Sequence, residues 1–504
     1  MFAFLVYFRV GMKSKIAVGV MWLGAAKVIV NLLALLSTLV LARFLTPADF
    51  GLVAIGTTLL TIIGAVTDLS LASALVQRTT VEDAHFHTAW TLNIVRSVLV
   101  SMVFCAISPV VVYFYGDERL FGVLLWLSFS IFLTGFNNPK MVVLTRRLEF
   151  WQDFVQSVGQ KLVGFVVGVG VAFLYQSYWA LIAGALASQL SGVIVSYVVC
   201  PYRPRFALSK AAELWGFSVW LSLGQLVNIL NWKFDHLLVG ARLGQEALGH
   251  YSVGDNIAGM PTRELVAPIE RTLFPGFARI GGDVSRLQKA YVSAQTMVCF
   301  FALPAGVGFA IIAQPLVLMA MGERWLPIVK VIEFVSVTVA LQTVSSAAQP
   351  LAMAGGQTKM LFKRDLTSFC LRIPMIIVGL HLGGLFGLLV ARAVSTIVSI
   401  GMNMYVVKTM IDLGFVKQLR QNFRSIVGVL AMAAVLILVK GALNQGATSI
   451  SPAMSVLLLV PLGGLVYFGV SLVLWVFSGK PDATELVVLN AGRTVLRRVF
   501  RSSL

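Results

Sequence analysis

Six basic side chains lie inside apolar stretches of this chain that are long enough to cross a membrane. They are Lys27, Arg96, Lys161, Lys233, Arg372 and Arg392. A charge at bilayer depth costs about 3 kcal/mol or more unless it is paired, hydrated or able to reach the interface. Arginine forks and lysine ammonium groups bind phosphate well, so a cavity lined by them would attract a phosphorylated anion. The pattern therefore predicts a cationic binding site within the membrane.

Each of these cations also has a plainer interpretation. Arg96 and Lys161 lie near a predicted membrane boundary, where a long side chain can reach the headgroups, and Arg392 could do the same on the other side. Lys27 and Arg372 are central in their spans, which favours a cavity. Polar residues in the same spans can line that cavity, balance the cations or bind a coupling ion: Asn31, Asp68, Asn228, Asn231, Asp235 and Asp255.

The sequence shows no catalytic or cofactor-binding signature. Hydrolase, kinase and dinucleotide motifs are absent, and the five histidines and four cysteines lack metal-ligand spacing. His85 and His87 are expected on a solvated loop surface. We therefore expect no enzyme activity, no cofactor and no bound metal.

The elements that must position these residues are membrane helices. Of the 504 residues, 58% are hydrophobic and only 12% are charged, which excludes a water-soluble fold. Apolar stretches of about 20 residues predict an all-α polytopic membrane protein rather than a barrel. We predict about fourteen transmembrane helices, near residues 16–43, 50–76, 90–115, 120–141, 154–175, 178–200, 213–242, 247–275, 287–321, 326–353, 363–382, 385–408, 423–442 and 453–478.

The basic residues behind the net charge of +18 are distributed as expected for a membrane protein. Lysine and arginine fall mostly in alternate loops, as the positive-inside rule expects, so both termini are predicted in the cytoplasm and nucleic acid is not an expected partner. Either Met1 or Met12 can be the initiator. The tail from Gly479 onwards is either a basic amphipathic helix on the lipid surface or a solvated segment.

Internal echoes indicate that the chain contains a duplication. The stretch Arg43-Phe44-Leu45-Thr46-Pro47-Ala48-Asp49-Phe50-Gly51 has a counterpart in Arg242-Leu243-Gly244-Gln245-Glu246-Ala247-Leu248-Gly249, and both follow a long apolar helix. Six helices per repeat give a parallel duplication, as in transporters whose halves rock about a central site. We predict an N-terminal six-helix lobe at 1–211 and a C-terminal six-helix lobe at 212–413, around a central cavity. Two additional helices and a basic cytoplasmic tail occupy 414–504.

The eighth predicted span is the most polar of the set. It contains three prolines, Pro261, Pro268 and Pro275, and six polar or charged residues, Asp255, Asn256, Arg263, Glu264, Glu270 and Arg271. A helix this polar must turn its charged side to protein or water. We expect it to line the cavity and to extend into the cytoplasm.

The duplicated six-helix lobe, with the motif Arg-x-Leu-(x)5-Gly at Arg43, Leu45 and Gly51 after its first helix, resembles the Wzx-type polysaccharide transporters of the multidrug/oligosaccharidyl-lipid/polysaccharide (MATE-like) exporter superfamily. Asp235, eight residues before Leu243, and the run Gly249-His250-Tyr251 also fit that pattern. The resemblance implies an alternating-access flippase of the bacterial inner membrane. Its expected cargo is an undecaprenyl-pyrophosphate-linked oligosaccharide for exopolysaccharide or lipopolysaccharide synthesis. Membrane lipids, a polysaccharide polymerase and chain-length proteins are the expected partners.

Other functions remain open at this point. A cation-coupled multidrug antiporter would share the fold, although acidic rather than basic core residues would suit cationic drugs. A flippase for a lipid-linked peptidoglycan precursor would handle the same pyrophosphate and polyprenyl chemistry. A glycosyltransferase or polymerase would need a large outward loop, whereas every predicted outward loop here is short.

Overall fold

The computed structural model describes residues 12–67, 75, 82–146, 149–211, 219–445 and 451–478. Ten helices in this part of the chain are long and apolar enough to cross a membrane. One of them breaks at Gly383 and Gly384 and so supplies two spans. The apolar helix Arg119–Thr134 and the two parts of Val219–Ile280 occupy the remaining predicted positions. The prediction of an all-α polytopic membrane protein with about fourteen spans is confirmed.

The chain divides into two compact units, Met1–Val253 and Gly254–Leu504. Residues pack together more within each unit than between the two. The lobe boundaries at 1–211 and 212–413, which come from the sequence repeat, stay a prediction. The helices of the first unit are α1 Met12–Phe44, α2 Pro47–Thr67, α3 Asp83–Tyr115, α4 Arg119–Thr134, α5 Met141–Arg146, α6 Trp151–Tyr175, α7 Trp179–Val199 and the beginning of α8 Val219–Ile280.

The second unit contains the rest of α8 and seven further helices. These are α9 Val284–Ala320, α10 Ile328–Gln342, α11 Ala348–Ala354, α12 Thr358–Ile411, α13 Phe415–Arg420, α14 Phe423–Gln445 and α15 Pro452–Phe477. Short 3-10 turns, Glu323–Trp325 and Thr343–Ser345, precede α10 and α11. The tail after residue 478 lies outside the described residues.

Two long helices each turn back on a glycine, and this gives two antiparallel helices apiece. In α8 the turn is at Gly244, with φ 84° and ψ 178°. In α12 Gly384 has φ 55°. Glycine adopts such positive φ values without the steric cost that a Cβ would add. The first and second parts of α8 are therefore 219–243 and 245–280, and those of α12 are 358–382 and 385–411.

The start of α2 is fixed by its own sequence. The Asp49 carboxylate accepts hydrogen bonds from the Thr46 backbone N–H at 2.9 Å and from the Thr46 hydroxyl at 2.6 Å. The Thr46 hydroxyl in turn accepts from the Asp49 N–H at 3.2 Å, and Pro47 occupies the first helical position. Reciprocal bonds of this kind satisfy the donors that a helix start leaves unpaired.

Small residues bring the helices of each unit together. In the first unit, α6 and α7 meet through Gly164 and Gly184, where an added Cβ would lie 2.9 Å from the opposing carbonyl oxygen. In the second unit, Gly379 and Gly387 allow the same close backbone approach between the two parts of α12. Membrane helices associate through such close backbone approach because lipid removes most of the hydrophobic driving force between helices.

Candidate functional site

The first unit holds four of the six predicted cations, and three of these lie on α1, α3 and α6. Arg96 on α3 donates to the carbonyl oxygen of Gly64 on α2 at 3.2 Å. Lys27 on α1 and Lys161 on α6 are half-buried. Ring contacts between Trp22 and Phe154 and between Phe44 and Phe173 fix the register of α1 against α6. That register places Lys161 level with Asn31, one turn from Lys27.

The second unit buries the two predicted arginines. Arg392 is 2% exposed and its guanidinium lies 2.7 Å from the carboxylate of Asp255, which is 6% exposed. Arg372 is 7% exposed. The structure therefore brings together Asp255, on the second part of α8, and Arg392, on the second part of α12. The sequence pattern placed Asp255 among the residues that can balance the cations, without predicting Arg392 as its partner.

Contacts between the two parts of α12 place Arg372 close in level to Arg392. Arg364 donates to Asn403 at 2.9 Å, and the hydroxyls of Ser368 and Ser399 are 3.0 Å apart. Continuing this antiparallel register sets Arg372 opposite residue 395, three positions from Arg392. Two buried guanidinium groups thus lie within about one helical turn of the same depth.

Apart from Asp68, the remaining predicted residues lie on the first part of α8 and differ in how far their side chains are exposed. Asn228 is exposed, Lys233 is half-buried, and Asn231 is 9% exposed. Asp235 is 1% exposed, and its carboxylate accepts from the Tyr251 hydroxyl at 2.7 Å. Asp68 lies outside the described residues. The assignment of all these side chains to one binding site stays a prediction.

Two proline-freed carbonyl groups in α9 receive donors from neighbouring helices. Pro315 has no N–H for the carbonyl oxygen of Ile311, and the ammonium of Lys440 on α14 donates to that oxygen at 2.9 Å. Pro304 likewise frees the carbonyl oxygen four residues earlier, which accepts from the Tyr467 hydroxyl at 2.8 Å. Lys440 was missed in the sequence, although a proline inside a predicted span signals an unpaired carbonyl nearby.

An apolar cavity of about 290 Å³ opens beside these bonds, between α9, α14 and α15 of the second unit. Its walls are aliphatic and aromatic, with contributions from Phe300, Phe309, Met432, Leu436, Gly463 and Phe468. An apolar hollow in a membrane-spanning bundle suits a hydrocarbon ligand rather than a sugar.

The two histidines expected on a solvated surface are packed instead. His85 is 3% exposed and caps the first turn of α3. The Nδ1 of His87 lies 2.6 Å from the hydroxyl of Tyr202, and the two rings stack. The expectation is wrong because the segment after α7 folds back over α3, where the N–H of Ala207 donates to the Thr91 hydroxyl at 3.0 Å.

Groups of three or more metal-ligating side chains do not occur among the described residues. The described residues do include buried guanidinium groups, a few buried carboxylates and an apolar cavity.

Comparison with known structures shows the fold. The chain superposes on the lipid II flippase MurJ in its inward closed conformation with a TM-score of 0.71 and 13% identity, over 90% of this chain and 99% of that one. It also matches an inward-facing MATE family multidrug transporter with a TM-score of 0.57 and 13% identity, over 76% and 95% of the two chains.

Sequence comparison finds relatives over most of the chain. Lipopolysaccharide biosynthesis protein WzxC of Escherichia coli K12 is 25% identical over 396 residues, which cover 77% of this chain and 80% of that protein. Succinoglycan biosynthesis transport protein ExoT of Rhizobium meliloti 1021 is 25% identical over 325 residues, covering 64% and 66%. The profile of a family described as "Polysaccharide biosynthesis protein" matches residues 40–330, more than half of the chain. The chain is thus a multi-pass membrane protein that belongs to the polysaccharide biosynthesis protein family.

Proposed function

We propose that this protein is a flippase that carries a polyprenyl-pyrophosphate-linked oligosaccharide across the bacterial inner membrane, for exopolysaccharide or lipopolysaccharide synthesis. The observation that carries the proposal is the burial of Arg372 and Arg392 in adjoining membrane helices of a protein of this family. Guanidinium groups bind phosphate oxygens well through their paired N–H donors. The pyrophosphate of such a cargo is an anion of the right chemistry.

The basic side chains of the second unit suit an anionic cargo. The guanidinium of Arg392 lies beside the Asp255 carboxylate, and the buried Arg372 lies close to the same depth. The first unit, taken by itself, places Lys27 and Lys161 within about one helical turn of each other. Arginine binds phosphate oxygens through two parallel N–H donors, so Arg372 and Arg392 suit a pyrophosphate.

The apolar cavity gives the lipid part of such a cargo a place in the second unit. About 290 Å³ of hydrocarbon-lined space accommodates part of a polyprenyl chain, while the rest of the chain stays in the bilayer. The sugar would occupy a hydrated cavity and would need no covalent chemistry. Flipping proceeds by alternating access, in which differential binding shifts the carrier between two states.

The topology follows from the positive-inside rule, with both termini in the cytoplasm of a bacterial cell. Cargo then enters from the cytoplasmic leaflet, where its sugars are assembled, and leaves at the outer leaflet. A polysaccharide polymerase and chain-length proteins are the partners that would use the exported units.

The deciding experiment follows the cargo in cells that lack this gene. Lipid-linked oligosaccharide should accumulate on the cytoplasmic leaflet, and surface polysaccharide should be lost until the gene is restored. Export of a cationic dye from the same cells separates this function from a drug antiporter. Intact surface polysaccharide together with increased dye sensitivity would contradict the flippase proposal.

A further inference from the structure

A second, smaller cavity lies next to the apolar cavity of the second unit. It measures about 100 Å³ and lies between the same three helices, α9, α14 and α15. Leu459 on α15 lines both cavities. On α14, Leu436 lines the apolar cavity, and Lys440, about one helical turn further along, lines the smaller one. The two cavities are therefore neighbours along the helix axes.

Polar side chains distinguish the smaller cavity from its neighbour. Each of the three helices contributes one of them: Gln314 from α9, Lys440 from α14 and Ser455 from α15. A space of this volume holds several water molecules or a small polar group. The walls of the apolar cavity are mainly hydrocarbon. Together the cavities form an elongated site with one polar end and one apolar end, which is the shape of an amphiphile.

The ammonium group of Lys440 brings a positive charge to the polar end. Its Nζ donates to the carbonyl oxygen of Ile311 at 2.9 Å. An ammonium carries three N–H donors, so this bond uses only one of them. The charged groups within electrostatic range on α10 are Glu333 and Lys330, which pair with each other at 3.3 Å. Their opposite charges offset each other, and an anion can therefore approach Lys440.

The depth of the two cavities matches that of a phospholipid. Lys440 lies five residues before the end of α14, which is about 8 Å along the helix, and Ser455 lies in the first turn of α15. The positive-inside rule places these helix ends on the outer side of the membrane. The apolar cavity lies deeper, towards the centre of the bilayer. Phospholipids of the outer leaflet have their phosphate and their acyl chains in the same order.

An ordinary structural role accounts for only part of this arrangement. A lysine near the end of a span commonly extends to the headgroup layer, and the bond from Lys440 satisfies a proline-freed carbonyl group. Neither role requires a polar cavity at the ammonium group or an apolar cavity beside it. Empty apolar space forfeits the van der Waals contacts of its lining, whereas a hydrocarbon chain from the bilayer restores them.

We propose that Lys440 and the two cavities bind one phospholipid of the outer leaflet. The ammonium group holds the phosphate, and an acyl chain occupies the apolar cavity. The Ser455 hydroxyl and the Gln314 amide are further donors for the phosphate oxygens. The bound lipid fastens α14 and α15 to α9. This site does not depend on the flippase function. Where the proposed cargo enters the apolar cavity, its polyprenyl chain displaces the acyl chain.

The test measures lipid binding to the purified protein in detergent by native mass spectrometry, with dioleoyl phosphatidylglycerol as the probe. Lys440→Met alone also deprives the Ile311 carbonyl of its donor, so it is combined with Pro315→Ala, which returns a backbone N–H to that oxygen. The double variant should keep most of the parent's stability. It should bind the probe at least about tenfold more weakly, because a charge-assisted bond is lost.

Two control variants isolate the ammonium group. Pro315→Ala alone should bind the probe as tightly as the parent protein does. Arg324→Met removes an exposed basic residue from the outward turn before α10 and should also leave binding unchanged. This second control excludes a general attraction between an anionic lipid and a basic protein surface.

A matched pair of glycines on α15 tests the position of the acyl chain. Nothing lies within 4 Å of a Cβ added to Gly464 or to Gly469, but only Gly464 lines the apolar cavity. Gly464→Leu should therefore weaken binding of the probe by filling the cavity, whereas Gly469→Leu should not. Equal binding by these two variants would overturn the placement of the chain.

Two further probes distinguish the sources of a phosphate. Glycerol 3-phosphate has no chain and should bind far more weakly than the phospholipid. The proposal is overturned if it binds as tightly, or if the folded double variant binds phosphatidylglycerol as tightly as Pro315→Ala does. Tighter binding of undecaprenyl phosphate than of phosphatidylglycerol would also overturn it, because the site would then belong to the cargo. The flippase function is tested separately by surface polysaccharide.

Discussion

Gly51 and Gly249 contact each other through their backbones in a reciprocal way. A Cβ added to Gly51 would overlap the carbonyl oxygen of Gln245, and one added to Gly249 would overlap that of Pro47. When the two sequence motifs are aligned on these glycines, Gln245 corresponds to Pro47. Reciprocal contacts of this kind are typical of a two-fold axis. The two echoes in the sequence thus pack against each other, as an internal duplication would produce.

The first prediction concerns these glycines. Gly51→Ala or Gly249→Ala should destabilise the protein by about 1–3 kcal/mol or more, because a methyl group would have to displace rigid backbone. Gly170→Ala on α6 is the control, since nothing lies within 4 Å of its added Cβ. Thermal unfolding in detergent, with membrane accumulation, measures both. Equal stability of Gly249→Ala and Gly170→Ala would contradict the contact.

The second prediction separates folding from function at the buried ion pair. Asp255→Asn or Arg392→Gln alone should cost about 3–5 kcal/mol, because each leaves a buried charge without its partner. The double variant should be more stable than either single variant, yet it should not export cargo, because the cation is gone. Thermal unfolding and surface polysaccharide report the two effects. Normal export by a well-folded double variant would limit the pair to a structural role.

The third prediction tests the role of Lys440. Lys440→Met should destabilise the protein by about 1–3 kcal/mol, because the Ile311 carbonyl loses its donor. Adding Pro315→Ala supplies a backbone N–H to the same oxygen and should recover most of that loss. A thermal double-mutant cycle measures the interaction. Simple additivity of the two substitutions would show that Lys440 does not serve the proline-freed carbonyl.

A fourth prediction concerns Asp117, in the turn between α3 and α4. Its carboxylate accepts from Arg119 at 2.7 Å and from Gln245 at 2.7 Å, and the hydrogen bond from Arg119 is the main cause that lowers its pKa to about 2. A depressed carboxyl pKa contributes stability above the ordinary value of about 4, and that stability is lost as pH falls towards about 2.

The substitution Asp117→Asn should therefore lower stability by at most about 1 kcal/mol at neutral pH, because Arg119 is well exposed. The difference from the parent should be constant above about pH 5 and should shrink below about pH 4. Thermal unfolding across that range gives the result. A difference that grows as the pH falls would have the wrong sign for this interaction.

The sequence predicted the fold better than the site. Long apolar stretches predict most of the spans because helix length must match the bilayer, and Gly383-Gly384 lies at the predicted break between two spans. Partners within the bundle were not predictable, because a pair such as Asp255 and Arg392 depends on which faces of distant helices meet. His87 shows the same limit, since its burial comes from a segment more than 100 residues away.

The sequence nevertheless identified some of the residues that form buried polar contacts. Asp235 was singled out as a polar residue inside a span and, with Tyr251, as part of a family pattern, and the structure joins the two residues by a hydrogen bond. Lys440 was passed over because it lies at the end of a predicted span, where a lysine is ordinary. Its bond to a proline-freed carbonyl depends on the packing of α14 against α9.

The central claim is that cations within the membrane hold the pyrophosphate of the cargo. Its most direct measurement is cargo export by Lys27→Gln and Arg372→Gln, each compared with Lys359→Gln, an exposed lysine at the start of α12. Loss of a charge-assisted bond of about 1.5–3 kcal/mol predicts at least about a tenfold fall in export for the first two. The control should export normally, with equal amounts of all three proteins in the membrane. Normal export by both Lys27→Gln and Arg372→Gln would contradict the claim.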